Sequence, residues 1–247
     1  MKTKCIISIF LLIFAVACSN NLTKRISIEI EPLRGNRFFC FSMSIDKKRY
    51  SGIYDICGKW AVPLSDNYFV MGSTSFGDDE GNPKSQFIGG KDSGIYWVYS
   101  GKCVAFLDVP SGYFSGFLFS ECTDPYYWND SSYLRVANDE GKYAYVNRSN
   151  GLMLTDYIFD QMNFVGFING YAFEHVDNTN QYVIISETGD MMDLPQEIQF
   201  NLDSFCFIEE NSMMSLFQLD AYDGTNYLLR IIRSTNSIEL ITGLRVK

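Results

Sequence analysis

The sequence predicts an all-β protein built from repeated antiparallel units of three to four strands, arranged as a β-propeller-like or open β-repeat array. Three observations predict it. Short runs rich in Tyr, Phe, Ile and Val recur along the chain, Gly and Asn interrupt them every 8 to 12 residues, and no 12-residue window keeps a helical period. One short helical turn is expected over residues 193–200.

The N-terminus precedes the first predicted strand and reads as a signal peptide over residues 1–17. Lys2 and Lys4 stand before an apolar run over residues 5–16, and small residues end it. The run has 12 residues, whereas a helix that crosses a bilayer needs about 20. We therefore expect it to be an export signal rather than a permanent anchor.

The end of this signal can be interpreted in two ways. Residues 15–17 followed by Cys18 resemble a lipobox, although Ala15 stands where Leu is usual, and the same residues suit an ordinary signal peptidase. We expect Cys18 to be lipidated and residues 18–24 to form a short tether on the bacterial cell envelope, since an acylated Cys supplies the two chains that stable anchoring needs. The alternative is a periplasmic or secreted protein.

Residues 25–247 are predicted to form a single all-β repeat domain of about five units. Blocks with two or three strand-like runs each cover residues 39–64, 86–107, 133–156, 171–194 and 216–241. A further apolar or aromatic run precedes each block, at 26–31, 68–71, 113–119, 163–167 and 205–208. A unit can therefore hold up to four strands, as in a small propeller.

Turn residues recur at corresponding places in these blocks. Gly58, Gly101, Gly151, Gly189 and Asn236 are separated by 43, 50, 38 and 47 residues. Gly and Asn adopt the positive φ angles that tight hairpins require. We expect the five residues to occupy equivalent turns.

The third and fourth units carry a family resemblance. Residues 141–151 (GKYAYVNRSNG), 156–160 (DYIFD) and 167–172 (FINGYA) resemble the WG (KWG) repeat of bacterial envelope proteins. Tyr143 and Ala144 stand in place of its Trp-Gly pair, whereas Trp60 of the first unit keeps the Trp. The resemblance implies a β-rich repeat protein with a binding or scaffold role and no catalytic residues.

Charge and cysteine content exclude several classes of protein. The formal charge of −9 becomes −11 when Lys2 and Lys4 leave with the signal peptide, which disfavours nucleic acid as a partner. After Cys18, five cysteines remain, an odd number without a C-x-x-C pair: Cys40, Cys57, Cys103, Cys122 and Cys206. No structural zinc site is expected. The sequence leaves open whether one or two disulfides form, and most of these cysteines are expected in strands.

Groups for catalysis are scarce. His175 is the single histidine, and we interpret it as a structural strand residue rather than a catalytic base. Paired carboxylates would be the remaining route to acid and base chemistry, and the acidic residues considered are Asp78, Asp79, Glu80, Asp124, Asp130, Asp139, Glu140, Asp156, Asp160, Glu209 and Glu210. The acidic loop 77–82 lacks the spacing of a calcium site. We expect no metal and no cofactor.

One predicted loop suggests a ligand site. Tyr126, Tyr127 and Trp128 are consecutive aromatic residues, and Asp124 and Asp130 flank them. Flat rings beside carboxylates suit the stacking and hydrogen bonding of a sugar. The alternative interpretation is an aromatic plug that closes one end of the repeat core.

These observations favour a lipid-anchored cell-envelope β-repeat protein that binds a protein or glycan without catalysis. The expected partners are the membrane, through the N-terminal lipid, and a protein or glycan ligand, while the oligomeric state stays open. The alternative is an envelope carbohydrate-active enzyme that uses paired carboxylates on a propeller. A third hypothesis is a structural subunit of a larger envelope assembly.

Overall fold

The computed structural model describes residues 26–33, 37–45, 47–66, 69–71, 94–100, 103–122, 132–160 and 166–242. Within these ranges the chain forms 18 β-strands and no helix. The strands build five sheets of three or four strands, and every pairing is antiparallel. The all-β class and the antiparallel three- to four-stranded units are thus confirmed. The prediction of a helical turn over 193–200 is wrong, because a non-helical turn over residues 195–198 separates two strands there.

The sheets follow the chain in order, and each strand pairs with its neighbours in sequence. Sheet I contains β1 (Ile26–Pro32), β2 (Phe38–Ile45), β3 (Lys48–Asp55) and β4 (Trp60–Ser65). Sheet II contains β5 (Phe69–Met71), β6 (Ile95–Ser100), β7 (Cys103–Asp108) and β8 (Tyr113–Phe114). Sheet III contains β9 (Glu121–Cys122), β10 (Tyr133–Ala137) and β11 (Tyr143–Asn147).

Two further sheets complete the described chain. Sheet IV contains β12 (Tyr171–His175), β13 (Tyr182–Ser186) and β14 (Met191–Asp193). Sheet V contains β15 (Phe200–Glu210), β16 (Met214–Ala221), β17 (Asn226–Ile232) and β18 (Ser237–Thr242). The described residues divide into two compact units, with sheets I and II in residues up to 117 and sheets III to V in residues from 118 onward.

The first unit has a core between its two sheets. Because side chains alternate along a strand, Phe38 and Cys40 of β2 point to the same face of sheet I. This face packs against apolar residues of sheet II, and the cluster includes Ile53, Val62, Tyr96, Val98, Ala105 and Leu107. Burial of each large side chain in such a cluster stabilises the fold by about 1.5–3 kcal/mol.

The second unit has an aromatic core that joins sheets IV and V. Phe173, Phe200 and Phe217 are fully buried in it. Phe205 and Phe217 stack with ring centroids 4.7 Å apart, and Phe173 meets Phe200 edge to face at 6.1 Å. Aromatic pairs of this geometry add about 0.5–1.5 kcal/mol beyond area burial.

The turns that follow β3, β11, β13 and β17 each contain a residue with positive φ. The predicted turn residues Gly58, Gly151, Gly189 and Asn236 have φ angles of 92°, 74°, 88° and 47°. The prediction that Gly101 occupies an equivalent turn is wrong. Residues 101–102 are outside the described part, and their place in the chain is between β6 and β7 rather than after β7. Gly112, with φ 78°, takes the equivalent turn.

Two of the five additional runs also lie elsewhere than predicted. The run at 113–119 was expected to open the third unit, but Tyr113–Phe114 pairs with β7 as the last strand of sheet II. Of the run at 163–167, residues 163–165 are outside the described part, and residues 166–167 are not in a strand. The other three runs fall largely within β1, β5 and β15.

Candidate functional site

Three turns lie next to one another in the second unit. We call residues 147–154, 186–191 and 232–237 the turn row; they hold the turns that follow β11, β13 and β17. Leu154 lies beside Gly189, where an added Cβ would be 3.2 Å from its Cδ1 atom. The Asn236 side-chain amide donates to the Asp190 carboxylate at 2.7 Å. These contacts hold the three turns side by side.

Polar side chains at the turns accept hydrogen bonds from backbone N–H groups. The side chain that ends β3, β7, β11 or β13 accepts a hydrogen bond from a backbone N–H two or three residues further on. These bonds run from Cys57 to Asp55 at 2.7 Å, Ser111 to Asp108 at 3.0 Å, Ser149 to Asn147 at 2.9 Å and Thr188 to Ser186 at 3.3 Å. Asp, Asn and Ser recur there because a short polar side chain satisfies the donors of a tight turn. The repeat therefore builds rigid turns in both units.

Large apolar side chains project from the turn row. Leu152, Met153 and Met191 are 68%, 43% and 50% exposed. Met153 pairs with Val146 and Met191 pairs with Ile185, each on the outermost segment of its sheet. Apolar residues that sit together on a rigid polar rim are typical of protein interaction surfaces. The turn row can thus bind an apolar partner segment.

A buried ion pair joins sheets III and IV. Arg135 of β10 and Glu174 of β12 are 1% and 0% exposed. The Arg135 Nε donates to Glu174 Oε1 at 2.7 Å, and a terminal nitrogen donates to Oε2 at 3.1 Å. Arg135 also donates to the Asp160 carbonyl and lies 4.0 Å from the centroid of the Tyr143 ring. The guanidinium is therefore held from several sides.

The same carboxylate accepts a third hydrogen bond. The Tyr145 hydroxyl donates to Glu174 Oε1 at 2.6 Å in a fully buried position. Burial raises the pKa of the Glu174 carboxyl, and the Arg135 guanidinium and Tyr145 hydroxyl oppose that rise. Burial and the adjacent carboxylate hold the pKa of Tyr145 well above its ordinary value. The cluster is satisfied internally, so it serves to fix two sheets.

His175 lies at the edge of this cluster. Its Nδ1 is 2.5 Å from the Asp160 carboxylate, and its ring centroid is 4.8 Å from that of Tyr182. The side chains of His175 and Asp160 are 14% and 15% exposed. Together with the Asp160 carbonyl on Arg135, this contact ties the segment after sheet III to β12. The geometry accords with the structural interpretation of His175.

The carboxylates considered for catalysis are divided between the two ends of the sheets in the second unit. Asp139 and Glu140 are in the turn between β10 and β11, and Asp160 meets His175 near the same end of sheet IV. Glu210 lies at the opposite end, at the turn-row end of sheet V, and binds Arg233. Among the described residues, no group of three or more His, Cys, Asp or Glu side chains is arranged to hold a metal ion.

Several predicted site residues are outside the described residues. They are Cys18, Asp78, Asp79, Glu80, Asp124, Tyr126, Tyr127, Trp128 and Asp130. Arg135, Glu174 and Tyr145 were not among the predicted site residues. Arg135 and Glu174 each stand inside a strand-like run of apolar residues. Because charged side chains are rarely buried without a partner, these two positions could have indicated a buried ion pair.

The described thiols are free. Cys40 is buried, and Cys57, Cys103 and Cys206 are exposed. Three of the four lie in strands, as expected, but only Cys40 packs as an apolar core residue. No helix in the described part of the chain is long and apolar enough to cross a membrane.

No protein-family model and no curated protein matches the chain. Among solved structures it is similar to the complex of KlAtg21 with the coiled-coil of AgAtg16, at 12% identity and a TM-score of 0.35, over 87% of this chain and 69% of that one. It is also similar to BamB from Moraxella catarrhalis, at 14% identity and a TM-score of 0.31, over 81% of this chain and 57% of that one. Oligopeptidase B from Leishmania major matches at 12% identity and a TM-score of 0.34, over 94% of this chain but only 43% of its own length. Similarity at this level assigns neither a family nor an activity.

Proposed function

We propose that this chain is a lipid-anchored envelope protein that binds a protein or glycan through its β-repeats, without catalysis. The observation that carries the binding role is the turn row, whose turns after β11 and β13 expose Leu152, Met153 and Met191 and are held side by side by the contact of Leu154 with Gly189. Repeat proteins commonly build extended binding surfaces from equivalent segments of successive repeats. The WG-type residues of the third and fourth units accord with such a role.

The distribution of acidic groups favours binding over the alternative of glycoside hydrolysis. Hydrolysis needs two carboxyl groups that flank one bond, about 5–10 Å apart. Glu174 is fully buried and engaged by Arg135, while Asp160 is engaged by His175. Asp139 and Glu210 lie at opposite ends of the sheets. These four carboxylates therefore offer no pair on one open site.

The binding role is tested by a matched pair of surface variants. Leu152→Asp combined with Met191→Asp changes the turn row, whereas Tyr222→Asp changes a residue that is 66% exposed in the turn between β16 and β17, at the other end of sheet V. We expect the double variant to lose a stoichiometric envelope partner in pull-downs from detergent-solubilised membranes, and Tyr222→Asp to retain it. Equal retention, or equal loss, would overturn the turn row as the binding surface.

The glycan form of the proposal concerns Tyr127 and Trp128. Binding to a glycan array that Trp128→Ala and Tyr127→Ala abolish would identify a sugar ligand. Equal binding by wild type and variants would exclude these two residues from the glycan site. If wild type and variants bind no glycan on the array and a protein partner is captured through the turn row, the ligand is a protein.

Lipid anchoring is tested separately. We expect radiolabelled palmitate to enter the wild-type chain and to be absent from Cys18→Ala. A label that persists in the variant would place the lipid elsewhere, and an unlabelled wild type would make this a periplasmic or secreted protein.

A further inference from the structure

The two faces of sheet I differ in what covers them. Phe38, Cys40, Ile53 and Val62 belong to the face that packs against sheet II. The register places a second set of large side chains on the other face, which we call the outer face: Ile26, Ile28, Ile30 and Pro32 of β1, Phe39, Phe41, Met43 and Ile45 of β2, Tyr50 and Tyr54 of β3, and Trp60 of β4. Apolar side chains therefore cover the outer face as well as the part of the inner face that meets sheet II.

The outer face is continuous across four strands. Successive rungs join Ile28 to Met43 and Tyr50, and Ile30 to Phe41 and Gly52. Trp60 covers Gly52, where its ring would lie 2.9 Å from an added Cβ. The absence of a side chain at Gly52 lets the indole lie flat enough to meet Phe41 edge to face at 6.0 Å.

This face retains solvent exposure. Ile30 and Trp60 are 51% and 42% exposed, and Ile26, Ile28, Met43, Ile45 and Tyr50 are half-buried. Strand β1 itself has no fully buried residue. A contiguous apolar face of this kind marks a protein or membrane interaction site.

The charge at one corner of the face distinguishes between these partners. The first rung joins Ile26 to Ile45 and Lys48, and Lys47 lies in the adjoining turn. With Arg49, which reaches Ser42 on the other face, the two lysines form the longest run of basic residues in the chain. Lys48 lies 3.7 Å from the Asp66 carboxylate and is 71% exposed. Basic residues beside an apolar and aromatic surface suit the headgroup region of a bilayer, where phosphates lie above the acyl chains.

The course of the chain leads to the same corner. Ile26 begins β1 on the rung that continues through Ile45 to Lys48, and Cys18 precedes Ile26 by eight residues. Eight residues span no more than about 30 Å even when fully extended. A lipid on Cys18 would therefore keep this corner close to the bilayer at a high effective concentration, so even a weak contact would form.

We propose that the outer face of sheet I rests on the lipid surface, with Trp60 at the acyl boundary and Lys47 and Lys48 at the headgroups. This inference rests on the proposed lipid anchor at Cys18. The anchor and the face together supply two contacts with one membrane. They orient the first unit relative to the bilayer, which a single lipid attachment would not do.

Quenching by brominated lipids tests the proposal with the full lipidated protein. The chain has three tryptophans, and of the two that the structure describes, Trp97 is buried in sheet II while Trp60 is on the outer face. In vesicles of phosphatidylethanolamine and brominated phosphatidylglycerol, we expect quenching in wild type and in Trp128→Phe, and its loss in Trp60→Phe. Quenching that survives in Trp60→Phe would overturn the proposal.

A charge substitution supplies the second arm. Ile28→Glu with Ile30→Glu changes the exposed edge strand, and Tyr222→Glu is the control at an exposed site outside both the outer face and the turn row. We expect only the first variant to lose Trp60 quenching while it still floats with the vesicles. If wild type floats with the vesicles but is not quenched, the membrane contact of the outer face is contradicted and the lipid anchor is retained. If wild type neither takes up palmitate label nor floats, both proposals are contradicted. A detergent-soluble dimer that Ile28→Glu with Ile30→Glu dissociates would assign the face to a second copy instead.

Discussion

The Arg135 guanidinium and the Glu174 carboxylate form a fully buried two-point ion pair between residues 39 positions apart, in two different sheets. Removing two charges from water costs several kcal/mol per ion, so such a pair is stable only when both groups are fully hydrogen-bonded. Tyr145 and the Asp160 carbonyl complete the hydrogen bonds here. The pair therefore fixes how β10 and β12 pack.

Breaking this pair should destabilise the protein far more than breaking a surface pair. We expect Glu174→Gln, which leaves the Arg135 charge buried without a counter-charge, to lower the free energy of unfolding by about 3–5 kcal/mol. The control Glu239→Gln breaks the Arg230–Glu239 pair, whose side chains are 37% and 49% exposed, and should cost no more than about 1 kcal/mol. Urea unfolding measures both, and equal losses would contradict a special role for the buried pair.

The Tyr145 hydroxyl should contribute both stability and alkaline sensitivity. Its loss in Tyr145→Phe removes a hydrogen bond to a charged group, which is worth about 1.5–3 kcal/mol. Because the folded-state pKa of Tyr145 lies well above its ordinary value of 10.0, its contribution is complete below that value and is lost as the pH rises through the folded-state pKa.

This linkage can be measured by urea unfolding at several pH values. We expect the free energy of unfolding of wild type to fall between about pH 9 and about pH 11, and that of Tyr145→Phe to fall less. An equal decrease in the two proteins would show that other groups account for the alkaline sensitivity.

The described thiols should differ in reactivity. Burial, reinforced by the Glu31 carboxylate, raises the pKa of Cys40 to about 11, and the thiolate is the reactive form. We expect iodoacetamide near neutral pH to alkylate the exposed Cys103 and Cys206 in the folded protein, and Cys40 only after unfolding. Mass spectrometry of the peptides distinguishes the sites. Rapid alkylation of Cys40 in the folded protein would contradict its core position.

Glycine in the turn row should be required more strictly than glycine in the opposite turns. Gly189 has φ 88° and its added Cβ would be 3.2 Å from a side-chain carbon and 3.3 Å from the backbone oxygen of Leu154, whereas nothing lies within 4 Å of an added Cβ at Gly141, with φ 74°. Both Ala variants bear a backbone strain of about 1–2 kcal/mol. We expect the Tm of Gly189→Ala to fall further than that of Gly141→Ala, and a reversed order would contradict the contact with Leu154.

Local sequence determined the class of this fold and most of its turns. Tyr, Phe, Ile and Val in short runs specify strands, because such side chains pack on a pleated surface, and Gly or Asn specifies the hairpin turns by permitting positive φ. Gly58, Gly151, Gly189 and Asn236 were therefore placed correctly. Gly101 was not, because the hairpin between β6 and β7 has the same local chemistry as the turn between β7 and β8 that holds Gly112.

The tertiary structure alone decided which strands share a sheet and which side chains meet. Tyr113–Phe114 reads equally well as the last strand of one unit or the first of the next, and only its hydrogen bonds to β7 assign it to sheet II. Arg135 and Glu174 each look like an isolated charge within an apolar strand. Their pairing depends on the distance between β10 and β12 after the sheets have packed, and no local pattern encodes that distance.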